Sequence, residues 1–588
     1  MASNGELRDA LPDALTGLLA RVVRPGRYVG GEFNQRRKPE ARPRIVLSYP
    51  DVYEIGIANP GLQIIYSGLN DGTSAVAERA YCPWPDMAAQ MRAARQVLWT
   101  LETYAPVRDA DLWGFTLQHE LTYTNVLEML DLAGVPLHAA ERGPADPIVL
   151  GGGPCSANPL PMARFFDAFF IGEAEDRLAE IVAALGAPAR AQRLDRLAEV
   201  PGMWIPHTAG SSARRQVYMG FSESRPVTEP LVPLLEAVHD RAVIEIMRGC
   251  TAACRFCQAG SWYRPLRERP VETLVESALA ALRSTGCDEV SLLSLSSCDY
   301  SGIERLVSGI RAAAPTARVS LPSLRVDSAA VVLSRLGDSQ RGGVTLAPEA
   351  GSQALRDTIN KQVTEAAFDD AVTAVARAGF SSLKLYYMIG LPEETDADVT
   401  AIITMVAAAL RQVRETARGR LRVGVSVSSF VPKPQTAFER EPFVGEAVIS
   451  RRQRMLRESL PREVKLSLHD VRASTVEATL ATGDETLGET IEAAWRQGAR
   501  FDSWTEGFDL RLWQAAAAGT GVELGGAPSY AADRLPWRII DGRVEPAYLE
   551  DERRRSLKGE ITPDCRHGTC PACGVCRDDI VMDLAGQR

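Results

Sequence analysis

Short apolar runs alternate with helix-like stretches along most of this chain, and that alternation limits the fold more than any other feature. The first series reads RIVLSYP (44–50), ADLWGFTLQ (110–118), PIVLGGGP (147–154) and DAFFIGEAE (167–175), with stretches such as TNVLEMLDLAG between. A strand–helix–strand crossover leaves its strands parallel and lays the helix on a sheet face, so the series predicts a doubly wound, Rossmann-like α/β domain over 44–185. A charged arm, 1–43, containing RRKPEARPR precedes it. A second series begins with AVIEIMRG and continues through DEVSLLSL, ARVSLPSL, GGVTLAPE, SLKLYYMIG and RVGVSVSSF, with helices such as VETLVESALAALRS between. Roughly six βα units predict a barrel or partial TIM barrel over 236–445, with its chemistry at the carboxyl ends of the strands. Residues 186–235, with scattered Pro and Ser, read as a linker or covering segment. A helical C-terminal extension occupies 446–530, and a charged, Cys-rich tail 531–588.

The length of 588 residues, with 45% apolar and 24% charged side chains, calls for more than one core. Basic residues number 66 and acidic ones 75, a net charge of -9, so no chain-wide positive field favours nucleic acid or an anionic membrane. Apolar stretches such as 401–410 fall short of the ~18 residues of a bilayer span. The polar start MASNGELRDA does not read as a signal peptide. The expectation is a cytoplasmic protein without a membrane partner.

Eleven cysteines are present, and seven lie in two tight clusters. Without a secretory signal, such clustering points to metal or redox chemistry rather than disulfides. MRGCTAACRFCQAG carries Cys250, Cys254 and Cys257 on the loop after the first strand of the second series. Three thiolates at spacings of four and three can hold three corners of a 4Fe-4S cube and leave the fourth iron open. That iron can chelate the amino and carboxylate groups of S-adenosylmethionine (SAM); a zinc site with a distant fourth ligand is the alternative. DCRHGTCPACGVC supplies Cys565, Cys570, Cys573 and Cys576, which suit either zinc or a second 4Fe-4S cluster, with His567 outside the ligand set. Cys155 follows the GGGP run and Cys298 the SLLSLSS run, so both are expected near cofactors, whereas Cys82 and Cys287 read as core thiols.

GGGP and IGEAE each end a strand, so glycine backbone faces the crevice at the carboxyl edge of the first sheet, where doubly wound folds bind extended cofactors. The GxGxxG spacing of a nicotinamide site and a P-loop are both missing from the sequence.

CxxxCxxC on the first loop of a βα series resembles the radical SAM superfamily. The resemblance implies SAM contacts at Phe256, at Ser294, Ser296 and Ser297 of SLLSLSS, at Ser323 and Arg325 of SLPSLRVD, at Glu349 of TLAPEAGS, and at Gly390, Leu391 and Pro392 of MIGLPEET. A GG-P strand end and then a GE strand end, ahead of such a barrel, resembles cobalamin-binding radical SAM enzymes. This implies that Leu117, Gln118, His119, Glu120, Leu121 and Thr122 lie beneath the corrin, with Gly151, Gly152, Gly153, Gly172 and Glu173 flanking the nucleotide tail. The DxHxxG motif that supplies an axial histidine is absent; His119 is the nearest substitute, and a hydrogen-bonded loop histidine is the equally weighted alternative. CQAGSWYRPLRERP, VPKPQTAFER, KLSLHDVRAS, GARFDSWTEGF and the final CxxxxCxxCxxC resemble an uncharacterised family of cobalamin-binding radical SAM proteins found alone or fused to a domain of unknown function. EATLATGDE (477–485) departs from it, with Ala-Thr in place of Ser-Arg before GD.

The resemblance implies a cobalamin-dependent methyltransferase that acts on an unactivated carbon through a 5'-deoxyadenosyl radical. The rival readings are a methylthiotransferase, a cyclisation or rearrangement enzyme using the C-terminal cluster, and a non-catalytic RNA- or ribosome-associated metal protein. The RNA reading would use Lys433, Arg440, Arg451, Arg452 and Arg454, for which a solvated helix face is the preferred alternative. An electron donor such as flavodoxin or ferredoxin is the expected partner, and the substrate is open between a small molecule and a macromolecule. Catalytic acid–base residues are not assigned; Tyr386, Tyr387, His469 and Asp470 are pocket candidates.

Overall fold

Six strands build the first sheet: β1 Arg44–Tyr49, β2 Val76–Tyr81, β3 Leu112–Thr116, β4 Ile148–Gly152, β5 Ala168–Phe170 and β6 Met203–Trp204. They come from a computed structural model that describes residues 11–585, apart from 209, 238–240, 322–323, 337–341, 418–420, 527–529 and 531–534. The spatial order is β2-β1-β3-β4-β5-β6, parallel except for the last pair. The order reverses between β1 and β3, which opens a crevice at the carboxyl edge.

Alternation along the strands sorts the side chains onto two faces. Ile45, Leu47, Leu112 and Ile148 pack beneath helices Pro60–Gly72 and Leu178–Leu185. Val46, Trp113, Phe115 and Val149 pack beneath helix Tyr123–Ala133 and beneath three helices from far along the chain, Val471–Thr482, Leu487–Arg496 and Leu510–Thr520. Much of the stretch 446–530 thus completes the core of the first sheet, because that face has more apolar area than one local helix can cover. The arm joins the same unit. Glu32 pairs with Arg79 at 2.9 Å and Glu102 pairs with the same guanidinium at 2.6 Å, all three side chains fully buried.

The second unit contains β7 Ala242–Glu245, β8 Glu289–Leu293, β9 Arg318–Ser320, β10 Gly343–Glu349, β11 Ser382–Ile389, β12 Arg422–Ser429 and β13 Lys465–Leu468. They form two parallel sheets, β9-β8-β7 and β10-β11-β12-β13, joined through a bridge between Leu324 and Leu346. This is an open, partial barrel with its helices outside. On β11, Leu383, Leu385, Tyr387 and Ile389 are buried in the core shared with the helices, while Lys384 and Tyr386 alternate away from it. Tyr387 is therefore a core residue rather than a pocket group. Among the described residues no helix is long and apolar enough to cross a membrane.

Candidate active site

The cysteine loop leaves the carboxyl end of β7 through Met247–Arg248, which pairs antiparallel with Arg267–Glu268. Gly249 allows the sharp exit, since its φ is +97° and a Cβ there would lie 2.4 Å from the Pro265 carbonyl. The loop is gripped from the following βα units. Asn360 Nδ2 donates to the carbonyls of Ala252 and Ala253, each at 3.1 Å, and the Arg255 amide donates to Ile359 O at 3.1 Å. The Gly260 amide donates to Cys257 Sγ at 3.3 Å, an interaction that favours a thiolate. Burial, with Cys254 adding, pushes the free Cys257 thiol up to about 12, so a metal entering here must displace protons.

Thiol spacing tests which metal fits. Zn–S bonds of about 2.3 Å set tetrahedral thiolates about 3.8 Å apart. Among the described residues, only His119, Glu120 and Glu477 bring three ligating atoms within 4.8 Å of one another. Cys250, Cys254 and Cys257 are not in such a group, but each of Cys250 and Cys257 feels the charge of Cys254, so the three lie together on one loop, as ligands of separate irons of one cluster would.

Around these thiols lie groups suited to a charged nucleoside. Arg325 and Lys361 both feel the charge of Cys254. Lys361 Nζ lies 3.3 Å from Glu349, which closes β10 with φ +68°. Ser294 and Ser297 share a hydrogen bond of 3.0 Å, and Ser297 also donates to Leu292 O at 3.0 Å. Ser296 Oγ and Arg325 Nη1, by contrast, are buried without a hydrogen-bond partner, although Arg325 Nη1 is 3.7 Å from Asp299. These orphaned polar atoms fit a ligand with an amino group and a carboxylate. Leu391 packs with Phe256, Phe430 and Phe438, and the Gly390 amide donates to Glu394 Oε2 at 2.5 Å, so this turn forms a wall behind the cysteine loop. Pro392 is buried beside it. Ser323 lies outside the described residues.

Facing the loop, a crevice of about 450 Å³ runs from the edge of the first sheet down one of its faces. Its sheet wall is Leu47, Leu112, Gly114, Thr116, Leu150 and Gly152, and its far wall is helices Pro60–Gly72 and Leu178–Leu185. A side chain at Gly114 or Gly152 would enter this slot. A Cβ at Gly114 would meet Leu47 at 3.5 Å, Leu112 at 3.7 Å and Val46 O at 3.8 Å, all ordinary contacts, so the backbone itself tolerates one. Gly153 is different: its φ is +93° and a Cβ would lie 2.8 Å from Leu117 O. The barrel side of the mouth is lined by Met247, Gly249, Tyr263, Leu293 and Leu295. Mostly apolar walls with a glycine floor suit a flat, largely apolar group or the tail of a larger one. An adjoining cavity of about 580 Å³ shares Pro60, Glu175, Leu178, Glu245 and Leu293.

A family model of the N-terminal part of radical SAM proteins matches residues 61–206, and that of the radical SAM superfamily matches residues 244–406. This chain is a radical SAM protein. It is 28% identical over 397 residues to the uncharacterized protein MJ0966 of Methanocaldococcus jannaschii, a match covering 67% of this chain and 82% of that one. Among solved structures it is similar to the cobalamin-dependent S-adenosylmethionine radical enzyme OxsB with aqua-cobalamin and S-adenosylmethionine bound. That match has a TM-score of 0.49 and 13% identity, and covers 82% of this chain and 71% of that one. The corresponding values for HydG, a maturase of the FeFe-hydrogenase, are 0.27, 14%, 55% and 82%.

The radical SAM barrel and the first sheet are tied together by ionic groups. Glu173 accepts from Arg267 at 2.7 and 2.8 Å, from Tyr218 N at 3.0 Å, and lies 3.1 Å from Arg248. Burial alone would raise its pKa, but Arg267 and Arg248 outweigh that and hold the carboxyl below the usual carboxylate range. Arg248 also pairs with Glu175 at 2.6 Å and Glu245 at 2.8 Å. Glu173 borders the crevice, yet its oxygens are spent on this joint. Gly172, with φ +106°, lets the chain pass Gln216, whose carbonyl would be 2.3 Å from a Cβ.

The 117–122 loop divides. Gln118 lines the crevice, while Leu117 is buried and donates its amide to Gly152 O at 2.7 Å. His119 does not line the crevice: its Nδ1 accepts from Leu121 N at 3.2 Å and its Nε2 lies 3.6 Å from Glu477. Both ring nitrogens are engaged, so the expectation of an axial ligand gives way to the hydrogen-bonded alternative. Glu120, Leu121 and Thr122 are buried away from the crevice walls. Lys433 bridges Glu120 at 2.7 Å and Glu477 at 2.9 Å, which joins the sheet loop, a barrel loop and helix Val471–Thr482. Arg440, Arg451 and Arg452 face Glu550, Asp396 and Glu394, so these cations of the expected basic face are neutralised locally. Asp470 caps helix Val471–Thr482 by accepting from Arg472 N at 2.9 Å, which is a structural role.

The tail crosses the cysteine loop. Asn360 Nδ2 donates to Thr562 O at 3.1 Å, Thr562 N donates back to Asn360 Oδ1 at 2.9 Å, and Arg255 Nη2 donates to Glu560 O at 2.6 Å. Arg566 pairs with Asp299 at 3.1 Å, next to Arg325. Beyond it, Cys573 is buried, Cys565 is half-buried, and Cys570 and Cys576 are exposed. Cys155 is buried beside Tyr123, and Cys298 is buried in the barrel core. Sequence reasoning missed Gly114, Asn360, Lys361 and the Arg248–Glu173–Arg267 joint. Only Gly114 had a signal, as a glycine inside a strand run.

Proposed function

We infer that this radical SAM protein is a cobalamin-dependent methyltransferase acting on an unactivated carbon. The observation that carries the reading is the glycine-floored crevice of the first sheet, which opens directly onto the barrel face that holds Cys250, Cys254 and Cys257. The three thiolates would hold a 4Fe-4S cluster, whose chemistry is one-electron reductive cleavage of SAM to give a hydrogen-abstracting radical. Cobalamin in the crevice would supply a transferable methyl group at cobalt.

The chain's own work is binding, orientation and exclusion of water. Ser296 and Arg325 hold unspent donors that would meet the amino-acid end of SAM, and the Glu349 carboxylate, steadied by Lys361, would accept from ribose hydroxyls. Gly114 and Gly152 leave the slot open for the corrin's tail, and Leu47, Leu112 and Leu150 line it with apolar surface. Gln118, which lines the crevice, would contact the corrin. The Glu173–Arg267–Arg248 joint fixes the distance between sheet and barrel, so the substrate position between them is preorganised.

The test is anaerobic reconstitution of the full chain with iron, sulfide and cobalamin. Wild type is expected to retain corrin after desalting and to convert SAM to 5'-deoxyadenosine. Gly114→Leu should lose the corrin and keep its iron. Corrin retention by Gly114→Leu equal to wild type would remove the crevice as the cobalamin site.

A further inference from the structure

The four tail cysteines remain outside this chemistry, and their spacing and surroundings assign them a role. They form one unbroken run, C-x4-C-x2-C-x2-C. Zinc sites of four cysteines typically join two short pairs across a longer spacer, which this run lacks. Both C-x4-C-x2-C and C-x2-C-x2-C are spacings with which a single run wraps several irons. Cys565 and Cys576 both feel the charge of Cys573, so the run folds back on itself around that buried thiol.

The two thiol sets are linked. Cys257 Sγ accepts from Gly260 N at 3.3 Å, and Gly260 O accepts from Arg264 Nε at 3.0 Å. The buried Arg264 guanidinium lies beside Cys573, and its charge also reaches Cys565 and Cys576. One turn of backbone and one arginine therefore span from the inner set to the tail set. The tail set has a buried thiol facing Arg264 and two exposed thiols, Cys570 and Cys576, facing solvent.

We propose that the tail holds a second iron–sulfur cluster that receives electrons from a one-electron carrier protein and passes them to the site of Cys250, Cys254 and Cys257. Arg264 is the positioning residue between the two. The balance is one for one: a reduced flavodoxin-type carrier loses one electron, and that electron is the one consumed when the carbon–sulfur bond of SAM is cleaved to methionine and the 5'-deoxyadenosyl radical. The proposal rests on the radical SAM assignment and is independent of cobalamin.

The experiment uses the full chain reconstituted anaerobically with iron and sulfide, without corrin or substrate. Wild type should carry iron in both sites and no zinc, with two reducible centres in an EPR-monitored redox titration. The Cys570→Ala/Cys573→Ala/Cys576→Ala variant should lose about half the iron and one of the two centres. Its SAM cleavage driven by reduced flavodoxin should fall at least tenfold further than its cleavage driven by dithionite. In the intact tail, Arg264→Gln should move one centre to a more negative potential at unchanged iron content, because a cation that favours the reduced state is gone. Stoichiometric zinc in the tail, a single centre in wild type, or equal losses with both reductants would overturn the proposal. Should the triple variant fail to fold, the zinc analysis and redox titration of wild type decide alone.

Discussion

The two surfaces that face each other across the site are built on opposite principles. The edge of the first sheet is glycine backbone over aliphatic walls, Gly114, Gly152 and Gly153 above Leu47, Leu112 and Leu150, and it selects by shape. The barrel mouth is thiols, Arg325, Lys361, Glu349 and an unpartnered Ser296 hydroxyl, and it selects by charge and hydrogen bonding. A broad, largely apolar ring system suits the first and a compact zwitterionic nucleoside the second. Binding to each should therefore be separable by substitution.

The largest expected effect is at the thiols. Cys254→Ala should abolish 5'-deoxyadenosine formation, measured by chromatography, while corrin binding in the crevice persists. Loss of both together would show that the two surfaces are not independent. Glu173→Gln comes next. It leaves Arg248 and Arg267 buried without their shared carboxylate and should destabilise the chain by about 3–5 kcal/mol, read by denaturant unfolding. The same joint gives a pH dependence. The folded pKa of Glu173 is depressed, so its stabilising contribution is present above its unfolded value of 4.5 and is lost as pH falls toward the folded one. A melting-temperature series below pH 5 should steepen in wild type and flatten in Glu173→Gln.

Smaller effects separate the surfaces more finely. Gly114→Leu should weaken corrin binding at least tenfold, about 1.4 kcal/mol, and leave SAM binding unaltered. Glu349→Gln should do the reverse, weakening SAM by about 1–1.5 kcal/mol through one lost charge-assisted hydrogen bond. Ser296→Ala should cost about 1 kcal/mol or less in SAM affinity by calorimetry.

What the sequence revealed follows from how local each signal is. The βα alternation and the CxxxCxxC loop are properties of contiguous residues, so the two units and most of their strands were legible, whereas β2, β6 and β13 were not, β13 falling inside the stretch read as a helical extension. Gly151–Gly153 at a strand end were legible for the same reason. The slot was not, because it needs Gly114 on β3 to stand beside Leu47 on β1 and Leu150 on β4, a register that only pairing decides. Glu173 read as a cofactor contact because its partners, Arg248 and Arg267, come from the other unit. His119 read as a possible ligand because Glu477, which holds it, lies far along the chain. Helices 471–482 and 487–496 read as a separate helical extension, yet their apolar faces complete the first sheet's core. The tail's attachment through Asn360 and Arg255 joins segments with no sequence mark in common.

The central claim is that sheet and barrel hold cobalamin and SAM chemistry against one another. The most direct measurement is corrin content and 5'-deoxyadenosine yield in the same anaerobically reconstituted, desalted sample of the full chain. A stoichiometric corrin together with SAM cleavage, the corrin alone lost in Gly114→Leu, is the predicted result. SAM cleavage by a wild-type chain that retains no corrin would contradict it.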